Sequence, residues 1–204
     1  MLYNATIFGM TSIMTTFFHA SKANAPLYII PFAVGNLLGP WILGPLFDTV
    51  GRKIMISATY LLAGATLLVT AWLFHNGSLS ATPLTVCWSI TFFFASAGAS
   101  AAYLTVSEIF PMETRAMAIA LFYACGTGIA IAAPWTFGKL IETGDVSYVT
   151  IAFVIGGVMM AIGGIVEILL GVEAAGKSLE AVARPINAVR GRSGGPAAAP
   201  ARAR

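Results

Sequence analysis

Long stretches without a charged side chain constrain this chain more than any other feature of its sequence. Charge-free runs cover residues 1–21, 23–47, 54–107, 116–138 and 146–166. A helix that crosses the hydrocarbon core of a bilayer needs about 20 consecutive, mainly apolar residues. Only 9% of the residues are charged, whereas soluble domains carry about 25%. The sequence therefore predicts a membrane protein.

The longest of these runs divides into two. Residues 75–83 read HNGSLSATP, and this mixture of Asn, Gly, Ser and Pro is typical of a turn. The sequence shows no alternation of apolar and polar residues of the kind found in barrel strands. We therefore expect an all-α, polytopic membrane domain over residues 1–171, followed by a tail over residues 172–204. The six predicted transmembrane helices cover about 1–18, 26–47, 54–74, 84–106, 116–138 and 148–171.

The basic residues predict how these helices are oriented. One set of connections (48–53, 107–115 and the tail) holds nine Lys and Arg residues, whereas the other set holds Lys22 and Lys139. Basic residues favour the cytoplasmic side, so both termini are predicted to be cytoplasmic, in a plasma membrane or bacterial inner membrane. The tail is basic and of low complexity. We expect it to be disordered and to contact anionic lipid, with no role in nucleic-acid binding.

Several function classes lack the residues that they need. Cys87 and Cys125 lie within predicted helices without a CxxC motif or a Cys/His cluster, so we expect two buried thiols. No HExxH or GxSxG motif and no pair of mid-membrane acids is present, so we expect no enzyme, no catalytic or metal-binding residue and no cofactor. A self-assembling six-helix channel would need a selectivity element such as a ring of carboxylates. This channel and a non-transporting fragment are the alternatives to a transporter.

Two short charged segments lie at the predicted cytoplasmic side. GPLFDTVGRK occupies residues 44–53 and SEIFPMETR residues 107–115. Each has an acid at a helix end and a base soon after it, which predicts ion pairs between the acids and the bases. Ordinary interfacial charge is the alternative, since an exposed pair contributes only about 0–1 kcal/mol. The residues that define the two segments are Gly44, Asp48, Gly51, Arg52, Lys53, Glu108, Pro111 and Arg115.

The two segments together resemble loops of the major facilitator superfamily, in particular of its sugar-porter and metabolite:proton symporter branch. GPLFDTVGRK is similar to the motif G-x3-D-x2-G-R-[RK], and SEIFPMETR to the motif sEifP-x3-R. The resemblance covers residues 1–171 as helices seven to twelve, the C-terminal half of a twelve-helix transporter. It implies alternating access around a midplane solute site, proton coupling in the full-length parent, and a partner N-terminal half in cis or in trans. It also implies that Asp48, Arg52, Glu108 and Arg115 form a cytoplasmic latch, which makes the eight residues that define the two segments the candidate gate residues.

Polar side chains within the predicted helices are candidates for contact with a small organic solute. An amide in hydrocarbon needs a partner, so Asn4 and Asn36 either bond to another helix or bind the solute. The tandem glutamines and the Gly-Pro-x-x-Trp sequence of sugar porters are absent, so an organic acid or another metabolite fits at least as well as a sugar. The candidate solute-binding residues are Tyr3, Asn4, Asn36, Trp88 and Tyr123.

Glycine spacing predicts where the helices pack closely. Gly35 and Gly39 form a GxxxG pair, and two Gly-Gly pairs, at 156–157 and 163–164, repeat one heptad apart. Small residues let helix backbones approach each other in a membrane. We therefore expect close contacts along the second and the sixth predicted helices.

Overall fold

The computed structural model describes residues 2–21 and 23–172, apart from the side chains of residues 2–8, 129, 132 and 133. This part of the chain folds into α-helices and one short 3-10 helix (Ala25–Tyr28), with no strand among the described residues, which confirms the all-α prediction. The predicted tail, apart from Val172, lies outside the described residues. The helices are α1 (Leu2–Phe17), α2 (Ile29–Thr49), α3 (Arg52–His75), α4 (Ala81–Ile109), α5 (Met112–Glu142) and α6 (Val146–Leu170).

Four helical segments of the described chain are long and apolar enough to cross a membrane. They are Ala25–Thr49, Arg52–His75, Ala81–Ile109 and Val146–Leu170, and they correspond to the second, third, fourth and sixth predicted spans. The described α1 has 16 residues, fewer than the roughly 20 that a full crossing needs. α5 contains the charge-free residues 116–138. A count of six transmembrane helices therefore stays a prediction.

Local backbone chemistry sets the two turns at the charged segments. Gly51 has a φ of 115° between α2 and α3, a conformation that residues with a Cβ rarely adopt. Pro111 lies just before α5 with φ −54°, and it has no N–H to continue α4. The residue before a proline favours an extended backbone, and Phe110 has φ −101° and ψ 140°. Each turn thus reverses the chain within a few residues.

Four of the helices form a continuous packed row in the order α2, α4, α3 and α6, whereas α1 packs mainly against α5. A buried cluster that includes Met10, Phe74, Trp88 and Phe153 joins α1 to this row. α5 makes few contacts with α4 and α6. A space therefore remains between α5 and the packed row.

Close backbone contacts hold the row together at glycines of α2, α3 and α6. A Cβ added to Gly35 would lie 2.5 Å from the carbonyl oxygen of Ser89, and one on Gly39 would collide with the carbonyl group of Phe93. A Cβ added to Gly64 of α3 would lie 2.8 Å from the carbonyl oxygen of Gly157 in α6. The prediction of close packing is confirmed for α2 and for Gly157 and Gly164 in α6.

Candidate functional site

A three-residue ion cluster joins three helices at one end of the bundle. Arg52, the first residue of α3, donates one hydrogen bond to Oε2 of Glu108 in α4. It donates another, at 3.3 Å, to Oδ1 of Asp48 in α2. The side chains of Arg52, Glu108 and Asp48 are 14%, 29% and 71% exposed, respectively. We call these three residues the charged cluster, and we call the end of the bundle where they lie the charged end.

The members of the charged cluster are unfavourably placed with respect to their own helices. Asp48 and Glu108 lie in the last turns of α2 and α4, whereas Arg52 begins α3. The helix macrodipole favours acids at N-termini and bases at C-termini, by about 0.3–1 kcal/mol each. All three charges therefore depend on one another across helices, and separating the helix ends leaves each of them in an unfavourable field.

The other predicted gate residues lie on the same two charged segments as the charged cluster. A Cβ added to Gly44 would meet nothing within 4 Å. Lys53 is half-buried beside Arg52. Among the described residues, Arg115 forms no ion pair with Asp48 or Glu108, and its buried Nε atom has no hydrogen-bond partner. The structure thus brings together three of the four predicted charges. Arg115 stays apart because α5 restarts at Pro111 and makes little contact with α4.

A cavity of about 550 Å³ lies between α5 and the packed row of helices. Its wall takes residues from five helices, and none of them carries a formal charge. It offers hydroxyl groups, one side-chain amide and aromatic rings. The lining residues are Asn36, Tyr60, Phe92, Ala95, Ser96, Ala99, Ser100, Tyr103, Tyr123, Gly126, Thr127, Ala130 and Met160.

Three polar residues of this wall lie at the same depth, and we call them the polar tier: Asn36, Ser96 and Thr127. Each is twelve residues along its helix from Asp48, Glu108 or Arg115. At about 1.5 Å per residue, that is about 18 Å from the charged end, near the middle of a hydrocarbon core about 30 Å thick. The Ser96 hydroxyl donates to the carbonyl oxygen of Asn36 at 2.9 Å. The Asn36 side-chain amide forms no hydrogen bond within the described residues, so it is available to a solute.

Three tyrosines lie between the polar tier and the charged end, and we call them the tyrosine tier: Tyr60, Tyr103 and Tyr123. The ring centroids of Tyr103 and Tyr123 are 5.9 Å apart with an interplanar angle of 44°. Tyr103 also meets the ring of Phe122 at 5.8 Å and 90°. These contacts link α4 to α5, where the two helices are otherwise loosely packed.

Tyr60 is a cavity residue that the sequence interpretation missed. A Cβ added to Gly98 of α4 would lie 2.6 Å from Oγ1 of Thr59 and 3.7 Å from Cδ2 of Tyr60. The missing side chain at Gly98 thus lets α3 approach α4, and Tyr60 reaches the cavity wall. A glycine on the facing helix was the available signal. To predict that Gly98 faces Tyr60, one must know how α3 and α4 are rotated about their own axes. Hydropathy does not give that rotation.

The structure sorts the predicted solute-binding residues into three groups. Asn36 and Tyr123 line the cavity. Trp88 does not line it: its side chain is 1% exposed and meets the ring of Phe153 edge-on, with centroids 5.5 Å apart. Tyr3 and Asn4 belong to α1, but their side chains lie outside the described residues.

Two further sequence predictions concern thiols and metals. Cys87 is half-buried, but Cys125 is exposed on α5, so the prediction of two buried thiols is wrong for Cys125. The reason is that α5 contacts few neighbours in this region, and residues 120–128 are exposed throughout. Within the described chain, no group of His, Cys, Asp and Glu side chains is arranged to hold a metal ion.

Comparison with models of known protein families gives a match. A family model described as Major Facilitator Superfamily matches residues 1–197, a range that includes both the charged cluster and the cavity. Searches of curated proteins and of solved structures found no match.

Proposed function

This chain belongs to the major facilitator superfamily, and on that premise we propose that it moves a small organic solute by alternating access. Membership implies membrane transport of small solutes, and the members of the family are transporters, not enzymes. The finer proposal rests on one observation. A single cation, Arg52, joins two carboxylates from two other helices at one end of an uncharged polar cavity.

The proposed place of the chain is the C-terminal half of a twelve-helix transporter of the sugar-porter and metabolite:proton symporter branch. The two charged segments support this proposal, because their motifs resemble the loops after the eighth and tenth helices of that branch. The partner is an N-terminal six-helix half, in cis or in trans, that covers the α5 side of the cavity. The transporter resides in the plasma membrane, or the inner membrane of a bacterium, with both termini and the charged end in the cytoplasm.

The charged cluster acts in this proposal as a latch on the cytoplasmic side. A solute reaches the cavity from the charged end only when the ends of α2, α3 and α4 separate. Separation breaks the two ion pairs of Arg52 and exposes each charge to the unfavourable end of its helix dipole. Restoring the pairs favours the closed state again. The latch thus provides two discrete arrangements, which alternating access requires.

Proton coupling is the finer part of the proposal that rests on family resemblance. The cavity lining in this half contains no carboxylate, so the coupling acid is expected in the N-terminal half. Glu167 in α6 is half-buried near the charged end and is the candidate within this chain. A proton gradient without a solute gradient then drives solute uptake.

Counterflow in proteoliposomes tests the proposal. The purified chain is reconstituted into proteoliposomes, alone or together with an N-terminal half. The proteoliposomes are loaded with an unlabelled solute from a panel of sugars, organic acids and neutral metabolites. Alternating access predicts saturable, transient accumulation of the labelled solute against its gradient. A steady conductance without counterflow would instead identify the self-assembling channel. If the chain shows neither counterflow nor conductance, alone or with the N-terminal half, it is a non-transporting fragment.

A further inference from the structure

We propose that the tyrosine tier is a binding subsite for an uncharged aromatic ring of the transported solute. The proposal rests on the proposed function and narrows its solute class. The ring is held by Tyr60, Tyr103 and Tyr123, and a hydrogen-bonding substituent of the same solute reaches the polar tier. The preferred solute is therefore a neutral aromatic compound that carries hydroxyl or amide groups, rather than an organic acid.

The chemistry of the cavity wall indicates that the bound part of the solute is uncharged. The wall offers hydroxyl groups, a side-chain amide and phenol rings, and no lining residue carries a charge. Moving an ionised group from water into such an environment is strongly unfavourable unless a counter-charge accompanies it. Arg52, the cation of the charged cluster, is already paired with two carboxylates. No Lys or Arg residue lines the cavity, so a carboxylate bound there meets no counter-charge among the lining residues.

The geometry of the tyrosines indicates an aromatic ring. Tyr103 is 43% exposed and Tyr123 is 58% exposed, so both rings present open surface beside the cavity. Aromatic rings prefer offset or edge-to-face neighbours with centroids about 4.5–7 Å apart. Tyr103 already has two ring neighbours within this distance range, Phe122 edge-to-face at 5.8 Å and Tyr123 at 5.9 Å with an interplanar angle of 44°. A solute ring beside Tyr103 and Tyr123, bounded on the α3 side by Tyr60, extends the same arrangement.

The spacing of the two tiers sets the length of the solute. Tyr123 of the tyrosine tier and Thr127 of the polar tier are four residues apart in α5. Residues at this spacing lie on one face of a helix, about 6 Å apart along its axis. This distance is comparable to that between a six-membered ring and the far side of an attached substituent. The cavity, about 550 Å³ in volume, is within the usual range of about 300–1,000 Å³ for ligand sites.

Three matched probes test the subsite on the full chain in lipid nanodiscs. Phenyl β-glucoside has an aromatic ring and hydroxyl groups. Methyl β-glucoside lacks the aromatic ring, and phenyl β-glucuronide carries a carboxylate. Saturation-transfer NMR measures the affinity of each probe. We expect the phenyl glucoside to bind at least about tenfold more tightly than either of the others. Equal binding of methyl glucoside would show recognition of the sugar alone, and equal binding of the glucuronide would show that charge is accepted. Either result, or no binding of any probe, overturns the proposal.

Substitutions then assign the binding to the tyrosine tier. Tyr103→Leu is expected to weaken binding of phenyl glucoside about two- to tenfold, the range of one aromatic pair. Tyr60→Leu is expected to weaken binding to the same extent. If Tyr60→Leu does not fold, Tyr60→Phe is used instead; it retains the aromatic ring and is expected to retain binding. Tyr148→Leu is the matched control, because Tyr148 is 48% exposed and does not line the cavity. Unchanged binding by Tyr103→Leu, with the chain folded, contradicts the assignment.

Binding and transport are separate measurements, so the two proposals can fail separately. Saturable counterflow without preference for the phenyl ring overturns only the aromatic subsite. Ring-dependent binding without counterflow by the chain with its partner half overturns only the transport proposal. Retention of the melting temperature and of a single elution peak shows for each variant that the fold is intact.

Discussion

Arg52 and Glu108 connect the ends of α3 and α4 through an ion pair between residues 56 positions apart in the chain. The second ion pair of Arg52, with Asp48, spans only four positions. The two pairs also differ in environment, since Glu108 is 29% exposed and Asp48 is 71% exposed. The pair with Glu108 therefore joins α3 to α4 in a partly desolvated site, whereas the pair with Asp48 joins α2 to α3 across a short turn near water.

The first prediction is that Glu108→Gln lowers stability more than Asp48→Asn does. Loss of a partly buried hydrogen bond between charged groups costs about 1.5–3 kcal/mol, whereas an exposed pair contributes about 0–1 kcal/mol. For a chain of this size, we expect a fall in melting temperature of about 3–12 °C for Glu108→Gln and less than about 4 °C for Asp48→Asn. Thermal unfolding of both purified variants measures the difference. Equal shifts would show that the pair of Arg52 with Glu108 is not stronger than its pair with Asp48.

The second prediction is that Asp48→Asn impairs transport in the full-length parent while membrane insertion stays intact. Removing one of the two anions of Arg52 shifts the balance between the open and closed latch by up to about 1 kcal/mol, which is about fivefold in population. Initial uptake rates at matched expression measure this effect. Glu142→Asn is the control, since Glu142 is exposed at the other end of α5. Uptake equal to that of the parent would contradict the latch.

Features that depend on neighbours in the sequence could be predicted from it. Charge-free length predicts α3 at about 54–74, and the structure has it at Arg52–His75. The backbone restrictions of glycine and proline act within a residue or two, so the turns at Gly51 and Pro111 follow from local chemistry. The charges of Asp48, Arg52 and Glu108 meet because adjacent helix ends place them near each other.

Features that depend on helix rotation could not be predicted. α2 is apolar on nearly all sides, so hydropathy does not tell which face meets α4. The same holds for Trp88, which turns into the buried cluster, and for Tyr60, which turns toward the cavity. Glycine spacing partly compensates, but not fully: Gly157 contacts α3 closely, whereas Gly163 has nothing within 4 Å of an added Cβ. These choices depend on side chains that are distant in the sequence.

The third prediction concerns the orientation of the charged end. In a chain with Cys87→Ala and Cys125→Ala, a Ser78→Cys variant is expected to react with a membrane-impermeant maleimide in intact cells. Thr49→Cys is expected to react only after the cells are permeabilised, because basic residues retain their loops in the cytoplasm. Both positions are exposed, so access across the membrane decides the outcome. The reverse labelling pattern would place the charged cluster on the outside and exclude a cytoplasmic latch.

The fourth prediction uses two glycines of α2 that differ in their surroundings. A Cβ at Gly35 would lie 2.5 Å from the backbone oxygen of Ser89, whereas one at Gly44 would meet nothing within 4 Å. Backbone atoms of α4 yield only if the helices move apart, and overpacking of this kind costs about 1–3 kcal/mol. We expect Gly35→Ala to lower the melting temperature by about 2–12 °C and Gly44→Ala to leave it unchanged or raise it, since alanine favours helices more than glycine does.

Thermal unfolding of the two alanine variants, purified side by side in the same lipid nanodiscs, checks this prediction. Both substitutions add one methyl group to the same helix, so they differ only in what that group meets. Gly39→Ala, whose Cβ would collide with the carbonyl group of Phe93, is expected to behave like Gly35→Ala. If Gly35→Ala and Gly44→Ala unfold at the same temperature, α2 and α4 do not pack through this glycine face. The α2 wall of the cavity would then have to be placed differently. The reason is that Asn36 directly follows Gly35, and its backbone carbonyl accepts the hydrogen bond of Ser96 in α4.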